Sequence, residues 1–97
     1  VRYAVLFTDN PAHANARIRL MPEHLAFLVE RADEVLAAGP LVQLDGSAAG
    51  GLWLVEAATH EQVRRLVEAD LFWPTGLRAQ VTIAEWREVF ADGQVLI

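Results

Sequence analysis

The chain has no cysteine, no lysine and a single serine, Ser47. Without thiols there can be no disulfide, no thiolate nucleophile and no cysteine-based zinc or iron–sulfur centre. Small secreted domains usually carry disulfides, so their absence favours a reducing interior and a cytoplasmic protein. Without lysine there is no Schiff-base chemistry. Ser47 falls in an Asp45-Gly46-Ser47 turn signal, and Thr8, Thr59, Thr75 and Thr82 take strand or capping positions, so a Ser-His-Asp acyl-transfer set has little support. All eight basic residues are scattered arginines and the net charge is −5, which disfavours a nucleic-acid partner. No apolar run approaches membrane-spanning length, and the chain opens on a strand-like run rather than a leader pattern, so no membrane partner is expected. His13, His24 and His60 form no H-x-H or H-x-x-x-H motif, and no glycine loop suits a phosphate; neither metal nor cofactor is expected.

The 97 residues suit one domain, 1–97, and 54% of them are hydrophobic, which argues against disorder. A core of this size is small, and oligomerisation is a common supplement. Arg2 to Thr8 reads as a strand with Tyr3, Val5 and Phe7 on one face and Ala4 and Leu6 on the other. Ala14 to Leu20 reads as a helical piece, and Pro22 opens or kinks the helix that follows. That main helix is expected from Met21 to about Ala37, with Leu25, Leu28, Ala32, Val35 and Leu36 as its stripe and Gly39-Pro40 as its stop. Leu41 to Leu44 and Gly51 to Ala57 read as strands. Thr59 and Gln62 form a capping-box signal for a second helix with Val63, Leu66 and Val67 inside. Gly39-Pro40 and Gly50-Gly51 are assigned to turns. Arg78 to Phe90 reads as a long strand with a bend near Glu85, Asp92-Gly93 as a turn, and Val95 to Ile97 as an apolar tail that docks.

The order β-α-β-β-α-β is that of the ferredoxin-like plait, an α+β fold. Right-handed crossovers place both helices on one face of a four-stranded antiparallel sheet. The other face is uncovered yet apolar, which predicts a homodimer with the sheets stacked face to face.

Two ionisable residues lie on apolar stripes. His24 falls within about 40° of Leu28 and Val35 at helical spacing. Asp70 extends the stripe of the second helix. The plait brings the start of helix one and the end of helix two to one sheet edge, so a His24–Asp70 pair is geometrically plausible. A carboxylate orients an imidazole and fixes its tautomer, and a ring so held can transfer protons near neutral pH. Proton abstraction beside a carbonyl, elimination and isomerisation all fit. The alternative is a structural pair that locks two helix ends; spacing alone leaves the two level. Asp70 stands at a helix C-terminus, which is electrostatically poor without a cation or donor to offset it. Arg17 is a candidate anion contact, and Phe72 and Trp73 are candidate walls of a small-molecule pocket, with core or interface packing as their alternative. His13 and His60 read as ordinary solvated residues.

Arg17 with Pro22-Glu23-His24-Leu25-Ala26-Phe27-Leu28, Ala38-Gly39-Pro40-Leu41, and Ala69-Asp70-Leu71-Phe72 with Gly76-Leu77 together resemble the YciI-like (YCII-related) family over nearly the whole chain. The family pattern is R-x(6)-H-L-A-x-L, then A-G-P, then A-D-P-F/Y. The resemblance implies a dimeric α+β barrel with a ferredoxin-like protomer, and places His24 and Asp70 at the family's active-site pair. One relative type is a dehydrochlorinase of chlorinated hydroxyquinols; muconolactone isomerases and small oxygenases are neighbouring families. Leu71 stands where the family usually has Pro, and Met21 where a basic residue is common. Two functions are carried forward: a cofactor-free lyase or isomerase using His24 and Asp70, and a non-catalytic module that binds a small ligand in the same pocket. A third is an interaction domain that works through its sheet face alone.

Overall fold

The computed structural model describes residues 1–97. Its elements are β1 (Arg2–Asp9), α1 (Ala14–Glu30), β2 (Val35–Val42), β3 (Ala48–Glu56), α2 (His60–Ala69) and β4 (Arg78–Glu85), then a hairpin of β5 (Phe90–Ala91) and β6 (Gln94–Val95). The main sheet runs β2-β3-β1-β4 and is antiparallel throughout. This is the expected ferredoxin-like α+β order.

The strands have unlike faces because side chains alternate. Tyr3, Val5 and Phe7 of β1 are buried with Trp53 and Val55 of β3, Phe27 of α1 and Val63, Leu66 and Val67 of α2. Both helices therefore cover one face. Opposed pairs share a face, so Ala4 with Leu54, and Leu6 with Leu52, lie on the other side. No element covers that side, and Leu6 is 43% exposed there. The capping box at the start of α2 is present: the Thr59 hydroxyl accepts from the Gln62 N–H, and the Gln62 side chain accepts from the Thr59 N–H.

The region 14–44 departs from the sequence reading. One helix runs from Ala14 through Pro22 and ends at Glu30, not near Ala37. Val35 and Leu36, expected on that helix, belong to β2, and Ala38-Gly39-Pro40 lies mid-strand rather than in a stop. Pairing with β3, including Ala38 opposite Trp53 and Pro40 opposite Gly51, outweighs the helical preference of alanine. Pro40 is tolerated because β2 is an edge strand. Only Ala16, His24 and Phe27 of α1 are fully buried; Leu25, expected inside, is 52% exposed. Similarly, β4 ends at Glu85 instead of Phe90, and β3 starts at Ala48, taking in Gly50, rather than at Gly51. Asp92 and Gly93, both at positive φ, form the expected turn between β5 and β6. The tail after it is tied back by the Leu96 N–H to the Val89 carbonyl, and its side chains stay exposed, Ile97 at 91%.

Gly50 has φ +136°, and a Cβ there would stand 1.8 Å from the Phe7 carbonyl oxygen across the β1–β3 pairing. No rotamer change relieves a backbone clash. Gly50→Ala is expected to destabilise the fold by ~2 kcal/mol or more, as a strained φ alone costs ~1–3 kcal/mol. Urea denaturation measures this; a loss below ~0.5 kcal/mol would contradict the geometry.

Candidate active site

α2 ends at Ala69, and Asp70 turns the chain out in an extended conformation while its N–H still bonds the Val67 carbonyl. The carboxylate is thereby aimed under the sheet edge, where it is 1% exposed. His24 lies on the inner side of α1, three residues before Phe27, and is 7% exposed. Its Nδ1 meets Asp70 Oδ1 at 2.7 Å. The two residues singled out from their stripes are thus in contact.

Arg78, at the start of β4, supplies the cation that a helix-end carboxylate requires. Its Nη2 donates to Asp70 Oδ2 at 2.8 Å. The guanidinium carbon stands 3.6 Å from the Phe7 ring centroid, a stacking contact that suits a weakly hydrated planar cation. Both Asp70 oxygens are therefore engaged. Burial pushes the Asp70 carboxyl up, but the His24 and Arg78 hydrogen bonds and charges outweigh it and hold the group below its ordinary value. An ionised carboxylate only accepts, so His24 must donate from Nδ1. In a neutral ring that leaves the Nε2 lone pair free.

Aromatic rings fix the imidazole. The Phe72 centroid lies 4.5 Å from that of His24, and Trp53 stacks at 6.1 Å with 30° between the planes. Phe72 is fully buried with Ala16 and Leu77, so it braces the ring from behind. Trp73 lies outside this packing and is partly exposed. Arg17 Nη2 donates to Asp9 Oδ2 at 2.7 Å, and its guanidinium carbon is 5.7 Å from the Phe72 centroid. His13 and His60 lie away from the pair; the His60 ring meets Tyr3 edge-on.

A cavity of ≈ 100 Å³ opens between α1 and the sheet. Its lining includes Arg17, Met21, His24 and Leu28 of α1, Gly39 and Pro40 of β2, Gly51 and Trp53 of β3, and Arg78. Gly39 and Pro40, assigned to a turn from sequence, here form the strand side of the opening with Gly51. A second, more open hollow lies between α2 and the segments that lead into β2 and out of β3, lined by Arg31, Glu34, Glu56 and Arg65 among others, with mixed charge. No group of three or more His, Cys, Asp or Glu side chains is arranged to hold a metal ion.

Arg78, Trp53 and Asp9 are members of the site that sequence reasoning did not single out. Strict alternation from Val81 and Ile83 brings Ala79 inward and sends Arg78 outward. A register shift between Thr8 and Asp9 pairs Thr8 with Gln80 but Asp9 with Arg78, leaving Ala79 as the extra residue. The bulge turns Arg78 into the site. The one signal available was the unbalanced carboxylate at Asp70, which called for a cation from elsewhere.

A model of the YCII-related domain family matches residues 1–87. Among solved structures, 5-chloro-2-hydroxyhydroquinone dehydrochlorinase (TftG) from Burkholderia phenoliruptrix, in complex with 2,5-dihydroxybenzoquinone, superposes with a TM-score of 0.80 at 24% identity, covering 90% of this chain and 94% of that one. A protein from Arabidopsis thaliana superposes with a TM-score of 0.51 at 16% identity, covering 95% and 98% of the two chains. At these identities the likeness is one of fold. No functionally curated protein sequence matches.

The clamp on Asp70 has a pH signature. Its folded pKa lies below the ordinary 3.8, so its stabilisation is fully present above that value and is lost as pH falls through the lower folded one. Asp70→Asn, which cannot ionise, is expected to be less stable than wild type at pH 6, with the difference shrinking below about pH 3.8. Asp70→Ala, which strands Arg78, is expected to cost ~3–5 kcal/mol at pH 6. Denaturant titrations across pH check both; a pH-independent difference between wild type and Asp70→Asn would contradict the clamp.

Proposed function

The chain belongs to the YCII-related family, and from that premise we propose an enzyme that performs acid–base chemistry of lyase or isomerase type on a small molecule through its own side chains. The observation that carries this reading is the 2.7 Å bond from His24 Nδ1 to Asp70 Oδ1, with His24 also lining the cavity. Asp70 orients the ring and fixes its tautomer; His24 Nε2 takes a proton from an activated O–H or C–H of the ligand. In a lyase reaction the electron pair left behind expels a leaving group, and in an isomerisation the proton returns at another atom. Arg17 is a contact for an anionic group, and Phe72 holds the imidazole in place. The dehydrochlorination performed by TftG is one chemistry of this kind and supplies the first substrates to try.

The protein is further proposed to act as a homodimer through the open sheet face. Leu6, Leu52 and Leu54 lie there beside a shallow apolar groove that Leu41 also lines. A small domain gains from burying such a patch. Neither a nucleic acid nor a membrane is proposed as a partner: the chain is acidic, and no helix is long and apolar enough to cross a membrane.

Wild-type protein should release chloride from a chlorinated hydroquinone panel, and His24→Ala should lose 10²-fold or more in kcat, within the ~10²–10⁴-fold range of general acid–base catalysis. Its stability and dimerisation should persist. Binding without turnover across the panel would favour the ligand-binding module. Variants that lose activity only by unfolding would mark the pair as structural. In sedimentation, the wild type is expected to run as a dimer at micromolar concentration and Leu6→Glu as a monomer. A monomeric wild type would remove the dimer.

A further inference from the structure

Arg78 presents more donors than the protein uses. Its side chain is 3% exposed, and Nη2 binds Asp70. Nε is shielded from solvent and has no hydrogen-bond partner. Nη1 has no protein hydrogen-bond partner either, while the residue lines the cavity beside His24. Burying this guanidinium only to pair with one carboxylate leaves Nε desolvated without return, while Nη1, unpaired but not shielded, stays available at the cavity.

A second guanidinium stands near it. Arg17 lines the same cavity, and both groups lie over the same Phe72 ring, their central carbons 5.7 and 5.3 Å from its centroid. Two cations in one poorly solvated corner repel. Burial pushes Arg78 down from its ordinary value, Asp70 opposes this, the Arg17 charge adds to the downward push and the Asp9 charge works against it. Asp9 and Asp70 each bind one of these arginines, but Asp70 also accepts from His24. Leu28, Pro40 and Trp53 give the same lining an apolar part.

We propose that Arg78, with Arg17 beside it, forms an anion seat that holds an oxyanion of the ligand next to His24. The ligand class is a small organic molecule with an apolar body and one carboxylate, enolate or phenolate oxygen. The proposal deepens the acid–base reading and rests on the same site. The oxyanion faces Arg78 Nη1, the body packs on the apolar part of the lining, and the proton to be moved comes within reach of His24. The two arginines then also stabilise the negative charge that proton abstraction leaves on the ligand.

Calorimetry with three probes tests it: 2,5-dihydroxybenzoquinone and benzoate as anions, and hydroquinone as an uncharged ring. Wild type is expected to bind at least one anion tenfold or more tightly than hydroquinone. Arg78→Gln and Arg17→Gln should each weaken that anion tenfold or more and change hydroquinone less than twofold. Arg78→Lys, which keeps the charge and loses the planar fork, should fall between. If Arg78→Gln does not fold, Arg17→Gln and Arg78→Lys still decide the matter. The seat is overturned if neither anion binds wild type, if hydroquinone binds as tightly, or if the folded variants bind anions as wild type does. Failure of the catalytic reading looks different: anion binding persists, requires both arginines, and no substrate turns over.

Discussion

A single carboxylate ties the site together. Asp70 accepts from His24 on one oxygen and from Arg78 on the other, so the exit of α2, the inner side of α1 and the first residue of β4 meet at one buried ion. An unpaired carboxylate there would be expensive, and so would an unpaired guanidinium. Each group is tolerated because the others are present. The aromatic setting depends on this too: Phe7 lies against the face of Arg78, and Phe72 and Trp53 hold the ring of His24. Loss of Asp70 would disturb three elements rather than one contact.

The sheet relates this site to the rest of the fold. Its covered face carries the core and, at the edge between α1 and β2–β3, the cavity. Its open face carries leucines with nothing of the same chain above them, and the last residues add an exposed apolar end. One face therefore carries the core and the cavity, and the other an apolar surface left open. The division follows from topology: two right-handed crossovers must put both helices on the same side.

Much of this could be read from the sequence. The βαββαβ order, the capping box at Thr59 and Gln62, and the inward face of Tyr3, Val5 and Phe7 follow from local pattern. So does the meeting of His24 with Asp70, because both interrupt apolar stripes that the topology brings to one edge. Where prediction failed, long-range pairing overruled local preference. Val35 to Pro40 looks helical by its alanines and broken by Gly39-Pro40, yet it becomes an edge strand once β3 offers it a partner. Arg78 was hidden by one extra residue in β4, since alternation cannot foresee a bulge. The surplus charge at a helix end nevertheless implied a missing cation.

The central claim is that Asp70 fixes the tautomer of His24 and leaves Nε2 free to exchange a proton. Nitrogen-15 NMR of the histidine side chains tests it most directly. The account predicts that the neutral His24 ring carries its proton on Nδ1, in a strong hydrogen bond to Asp70, with a bare Nε2, and that this signature disappears in a folded Asp70 variant. An Nε2–H tautomer, or a rapidly averaging mixture in wild type, would contradict it.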